Sequence, residues 1–181
     1  MKRHAQAVAF LALALTVGAV QGCSSTSKST GTTSTGDYLV AKVEPTQGNT
    51  AKGEVRFYRG DAGVHVVADL EGLSPGLHGF HLHEKGDCSA PDAASAAGHY
   101  NPSGAPHGSP DSSATARHMG DLGNVEAGPD GKAHYDRTVL LSYENLRGLS
   151  ILVHASPDDF TTQPAGNSGA RIGCGVIGEH D

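Results

Sequence analysis

An all-β fold, an antiparallel sandwich or flattened barrel, is the class this sequence predicts. Three observations point to it. Short β-like runs recur, turn residues separate them, and no long amphipathic helical pattern appears. The runs are Leu39–Val43, Glu54–Tyr58 and Val64–Leu70. The turn signals are Asn49, Gly60-Asp61, Gly63 and Pro75-Gly76.

Taken in order, residues 1–22 read as an export signal. Lys2 and Arg3 precede an apolar run from Ala7 to Val20. That run is shorter than the roughly 20 residues a membrane span needs, and it suits a signal-peptide core. Val20-Gln21-Gly22-Cys23 resembles a bacterial lipobox, in which Cys23 is lipidated and becomes the mature N-terminus. Plain cleavage near Gly22 is the alternative. Residues 23–36 are rich in Ser, Thr and Gly and read as a flexible tether, because they offer nothing to bury. Residues 37–181 are long enough for one domain with one core.

Charge excludes one class of partner. Lys plus Arg number 13 against 19 Asp plus Glu, and loss of Lys2 and Arg3 with the signal leaves about −8. An acidic chain without a basic patch is not expected to bind nucleic acid. An anionic substrate would be repelled at long range, so its attraction must be local. Leaving Cys23 aside, Cys88 and Cys174 remain. In an exported chain they suggest one disulfide; two buried thiols are the other reading.

The histidines carry the chemistry. In Gly76-Leu77-His78-Gly79-Phe80-His81-Leu82-His83, His81 and His83 are two apart. On a strand they share one face while Phe80 and Leu82 take the other. Downstream come His99, His107, His118 and Asp121, then His154 after the apolar run Leu149–Val153. Six histidines and one aspartate are one ligand short of two four-coordinate sites, unless one imidazole serves both metals through its two nitrogens. His65, His134 and His180 are not expected to be ligands, and His4 lies in the signal.

The motifs GLHGFHLHEKGDC (76–88), GHYNPSGAPHG (98–108), RHMGDLGN (117–124), LVHASPDD (152–159) and GNSGARIGCGVIG (166–178), in this order, resemble the bacterial copper,zinc superoxide dismutases. The resemblance implies a Greek-key, flattened eight-stranded barrel with long metal-binding and active-site loops. It implies copper on His81, His83, His99 and His154, and zinc on His99, His107, His118 and Asp121, one ion of each per subunit. Four imidazoles suit Cu(II), and three nitrogens with one carboxylate suit tetrahedral zinc. His99 would bridge the metals. The family's scheme has Cu(II) take an electron from one superoxide and Cu(I) give one to a second, with His99 leaving copper, taking up a proton and passing it to the product.

The resemblance also implies a disulfide between Cys88 and Cys174, a carboxylate link from His81 to His107 through Asp158, and an anion-attracting role for Arg171. His78 is expected to brace the backbone. The Ser89–Gly98 segment, longer than in the eukaryotic branch, and the export signal point to the bacterial branch. The loop from Asp158 to Ala170 is short and lacks lysine, with Ala165 where a channel-wall threonine often stands. Lys85 is the candidate local charge. The expected setting is the periplasm or cell envelope, protecting it from external superoxide, with the membrane reached through the N-terminal lipid alone. Monomer and homodimer both remain open. A copper-delivery module of the same fold is the alternative function; such relatives typically lose copper ligands or the arginine, and this chain keeps them all.

Overall fold

The computed structural model describes residues 38–180; the signal, Cys23 and the tether lie outside them. Nine strands follow one another: β1 (Tyr38–Pro45), β2 (Lys52–Gly60), β3 (Gly63–Glu71), β4 (Gly76–His83), β5 (Asp121–Ala127), β6 (Ala133–Val139), β7 (Ser150–His154), β8 (Arg171–Val176) and β9 (Gly178–Glu179). Single 3-10 turns at Ala94–Ala96 and Tyr143–Asn145 are the helical elements among the described residues. The three runs and four turn signals read from the sequence fall at β1–β3 and the connections around them.

Strand order is β2-β3-β6-β5-β4-β7-β8-β1-β9, and β1 also pairs with β2. That second pairing closes β1 to β8 into an eight-stranded antiparallel barrel, with β9 as an extra strand along β1. Chain neighbours β3 and β4 are not sheet neighbours, nor are β6 and β7. These two skips give the Greek-key character.

Alternation sets the interior. On β1 to β3, Leu39, Ala41, Val43, Val55, Phe57, Val64, Val66, Ala68 and Leu70 point inward and are buried. Phe80 and Leu82 meet them from β4, with Ile151 and Val153 from β7. Each large apolar side chain buried here contributes about 1.5–3 kcal/mol. β4 departs from alternating exposure: His81 and His83, on its outer face, are also buried. The two long loops, residues 84–120 and 155–170, cover that face.

Two irregularities aim the strands. Register shifts between Gly79 and His81 on β4, so that His81 faces Asp121 of β5. A second shift between Val153 and His154 on β7 pairs His154 with Arg171 of β8. Such irregularities re-aim side chains, and here both fall where the histidines converge.

The Cys88–Cys174 disulfide is formed and joins the long loop to β8. Beside it Ala93, Ala96 and Leu152 make a second small core with Cys174. The loop that carries His99 is therefore anchored at its start by a covalent bond and then by apolar packing.

Candidate metal centre

Two clusters of ligand atoms form on the outer face of β4. His81, His83, His99 and His154 make one, and His99, His107, His118 and Asp121 the other, with ligand atoms within 4.8 Å of one another in each. His81 and His83 come from β4 and His154 from the end of β7. His99 sits opposite His83 through an isolated bridge between their backbones. All seven residues are buried.

Each ring is oriented by what its second nitrogen touches. His81 Nε2 donates to Asp158 Oδ2 at 2.8 Å, and His107 Nε2 donates to Asp158 Oδ1 at 2.8 Å. His83 Nδ1 donates to the Ala97 carbonyl at 3.0 Å, and His154 Nδ1 to the Gly169 carbonyl at 3.3 Å. At His81, His83 and His154 these bonds place the ring proton and leave a lone pair on the opposite nitrogen. Those opposite atoms (His81 Nδ1, His83 Nε2 and His154 Nε2) are buried with no hydrogen-bond partner, and so is His99 Nε2, whereas His107 Nδ1 faces Asp121. Buried polar atoms are normally paired. Convergent imidazole lone pairs in this state fit a metal cation.

The second cluster centres on Asp121. Its Oδ2 accepts the backbone N–H groups of Gly108 and His118 at 3.0 and 2.8 Å. Its Oδ1 is thereby presented to three Nδ1 atoms, of His99 at 2.8 Å, His107 at 3.0 Å and His118 at 3.2 Å. The Nδ1 atoms of His99 and His118 are 3.4 Å apart. A tetrahedral zinc ion with bonds of 2.0–2.1 Å has donor–donor edges of about 3.3 Å, so the set fits zinc.

Burial and charge act differently on the two clusters. Burial pushes His81 down to about 4 and His154 to about 3, and holds His83 well below its ordinary value. At His107 burial also acts downward, but hydrogen bonds to Asp121 and Asp158 outweigh it and push the ring up to about 9. Burial acts upward on both carboxyls. Hydrogen bonds from histidines win, and Asp121 and Asp158 stay well below the usual carboxylate range.

A cavity of about 350 Å³ opens onto the first cluster, lined by His83, His99, His118, His154, Glu84, Pro164, Ala165 and Arg171 among others. Nη1 and Nη2 of Arg171 donate to the carbonyls of Ala93 and Ala97, both at 2.6 Å. Those alanines have φ of 56° and 64°, an unusual backbone state for a residue with a Cβ, and it helps turn their carbonyls toward the guanidinium. Burial lowers the Arg171 pKa and the nearby Asp92 charge opposes this. An arginine keeps its charge under such shifts.

Other sequence expectations find their places. His78 is buried, and its Nδ1 donates to the His154 carbonyl at 2.7 Å, bracing that backbone. His65 and His134 lie on the barrel surface beside Asp136 and Asp69. Asp159 is exposed and caps a local turn with Thr161 and Thr162. Lys85 is exposed and does not line the cavity; Glu84 does. Three contributors went unread in the sequence. Asn124 clasps the backbone of Asp158 with bonds of 2.7 and 3.0 Å. Gln163 does the same to His107 at 2.8 and 2.9 Å. The buried Arg117 donates to the His118 carbonyl at 2.8 Å.

A closed antiparallel barrel carrying two adjoining donor sets, one of them open to a cavity beside an arginine, defines a two-metal β-barrel protein. Comparison with known proteins narrows this. Residues 51–177 match the family model described as copper/zinc superoxide dismutase (SODC). Over 146 residues the chain is 40% identical to a protein named superoxide dismutase [Cu-Zn] from Onchocerca volvulus, covering 72% of this chain and 90% of that relative. A crystal structure of the clock protein EA4 matches with a TM-score of 0.68 at 34% identity, covering 78% of this chain and 93% of that one. The chain belongs to the copper/zinc superoxide dismutase family. It is an oxidoreductase that converts superoxide to dioxygen and hydrogen peroxide, with copper and zinc as cofactors.

Proposed function

We propose that copper is held by His81 Nδ1, His83 Nε2, His99 Nε2 and His154 Nε2, and zinc by the Nδ1 atoms of His99, His107 and His118 with Asp121 Oδ1. The observation that carries this is the set of buried imidazole nitrogens left without a hydrogen-bond partner. When bound, copper supplies the redox chemistry, alternating between Cu(II) and Cu(I) so that one superoxide loses an electron and another gains one.

The residues do the rest. Arg171 draws the anion into the cavity and holds it by donors of its guanidinium. Its two bonds to the Ala93 and Ala97 carbonyls fix the side chain at the cavity wall. When released from copper, His99 Nε2 would hold the proton that passes to the product. Asp158 fixes the orientation of His81 and His107 by accepting their Nε2–H protons. With no strand or helix between Asn101 and Met119, that loop relies on the zinc ligands for order.

The protein works, in this proposal, as the exported lipoprotein form of the bacterial branch. It is tethered in the periplasm or cell envelope by lipidated Cys23 and removes external superoxide. The signal-like residues 1–22, the lipobox resemblance and the Ser/Thr-rich tether support this reading. Lipidation is tested by feeding cells labelled palmitate: label should enter the wild type and be absent from Cys23→Ala. Equal labelling would reject the anchor. The metal assignment is tested by elemental analysis. The loaded wild type should carry one copper and one zinc per subunit, and His83→Ala should lose copper while keeping zinc. Loss of both metals, or of neither, would contradict the assignment.

A further inference from the structure

We infer that Gln163 is a positioning residue for the zinc site, and that through it zinc fixes the wall of the copper cavity. This rests on the assignment of zinc to His107.

The geometry is specific. The His107 N–H donates to Gln163 Oε1 at 2.8 Å, and Gln163 Nε2 donates to the His107 carbonyl at 2.9 Å. One side chain thus pairs with both polar backbone groups of one buried ligand residue. A carboxamide offers a donor and an acceptor side by side, which neither a carboxylate nor an ammonium does. His107 sits in a loop with no strand or helix to hold its backbone. Its ring is held by Asp158, and its main chain by Gln163.

The residues after Gln163 give the contact its consequence. Pro164 and Ala165 line the cavity with His83, His99, His154 and Arg171. Gly166 then closes the segment: its N–H donates to the Thr162 carbonyl at 2.7 Å. A Cβ at Gly166 would lie 1.9 Å from Asp158 Oδ1 and 2.6 Å from His107 Nε2, so its backbone is packed onto that same pair. The two wall residues therefore span two points that both rest on His107. Without zinc the His107 ring keeps its bonds to Asp121 and Asp158 but loses its metal bond, and any shift of its main chain passes to the wall through Gln163. Asp158 meets this span at Gly166, at the end away from Gln163.

The test uses the copper- and zinc-loaded protein with Gln163→Leu and Gln163→Glu. Leucine keeps the bulk and loses both bonds. Glutamate keeps an acceptor for the His107 N–H but loses the donor to its carbonyl, and it carries the test should the leucine variant not fold. Zinc release into the chelator 4-(2-pyridylazo)resorcinol should be at least ~10-fold faster in both variants, the scale expected for loss of a group that orients a ligand. The visible absorption of bound copper should stay unchanged. Hydrogen exchange of residues 160–166 should be slowed by zinc in the wild type and slowed less in the variants. Thr138→Ala, on the exposed face of β6, should behave as wild type.

Wild-type release rates in both variants would overturn the positioning role. Faster release with undiminished zinc-dependent protection would overturn the coupling to the cavity wall. A wild type that takes up no zinc would instead sink the metal assignment, and this inference with it.

Discussion

The Nδ1 atom of His99 lies 2.8 Å from Oδ1 of Asp121, while Nε2 on the other side of the ring is buried without a partner. One imidazole thus faces two donor sets. Asp121 belongs to one of them alone, so its removal separates the two metals. Asp121→Ala should lose zinc by more than the ~10–100-fold typical of an outer partner, and keep copper. Elemental analysis after dialysis checks this; parallel loss of both metals would count against separable sites.

Asp158 links the clusters from outside by accepting from His81 and His107. In Asp158→Asn the new NH2 group would face one of those ring N–H donors. Zinc affinity should fall ~10–100-fold, measured by competition with a chelator. Asp159→Asn, at the exposed turn next door, should leave it unchanged.

The Cys88–Cys174 bridge closes a loop across a sequence separation of 86. Replacing both cysteines by alanine should destabilise the metal-free protein by about 2–4 kcal/mol, read from urea unfolding. The loop it anchors supplies the carbonyls of Ala93 and Ala97 that hold Arg171. The same variant should therefore also lose part of its kcat/KM. Unchanged stability would mean that the packing of Ala93, Ala96 and Leu152 suffices.

Zinc uptake should depend on pH through His107. Without metal its pKa is pushed up to about 9, whereas His81 and His154 are pushed down to about 4 and about 3. A raised pKa means that the charged pairing with Asp121 and Asp158 stabilises the metal-free fold fully below the unfolded value of about 6.5. That contribution is lost as pH rises through about 9. Zinc must displace this proton, so its apparent affinity should rise with pH across that window, by up to about tenfold per unit. Calorimetry in two buffers of different ionisation enthalpy should show proton release on zinc binding at pH 7. No release would contradict a protonated His107.

Much of the fold and the metal centre was legible in the sequence. Alternation alone places His81 and His83 opposite Phe80 and Leu82, because a strand has a period of two. The short runs between Leu39 and Leu70 are strands for the same reason. The motif order carried the two ligand sets, which composition could not. What stayed hidden depends on loop geometry. Ala93 and Ala97 adopt positive φ without being glycine, so nothing in their identity announces carbonyls aimed at Arg171. Gln163 and Asn124 act on backbone groups, and a side chain that grips main chain leaves no motif. Lys85 is next to a cavity residue in the chain but lies outside the lining, where Glu84 stands.

Among the described residues, that leaves Arg171 as the single lysine or arginine lining the cavity of a net-acidic chain. The most direct test is superoxide removal by the copper- and zinc-loaded protein at low salt, beside Arg171→Ala. The wild type should turn over rapidly, and the variant should lose ~10-fold or more in kcat/KM with a flatter dependence on salt. Bound copper with negligible turnover in both proteins would contradict the dismutase mechanism and favour copper storage or delivery. Equal turnover would remove Arg171 from the mechanism.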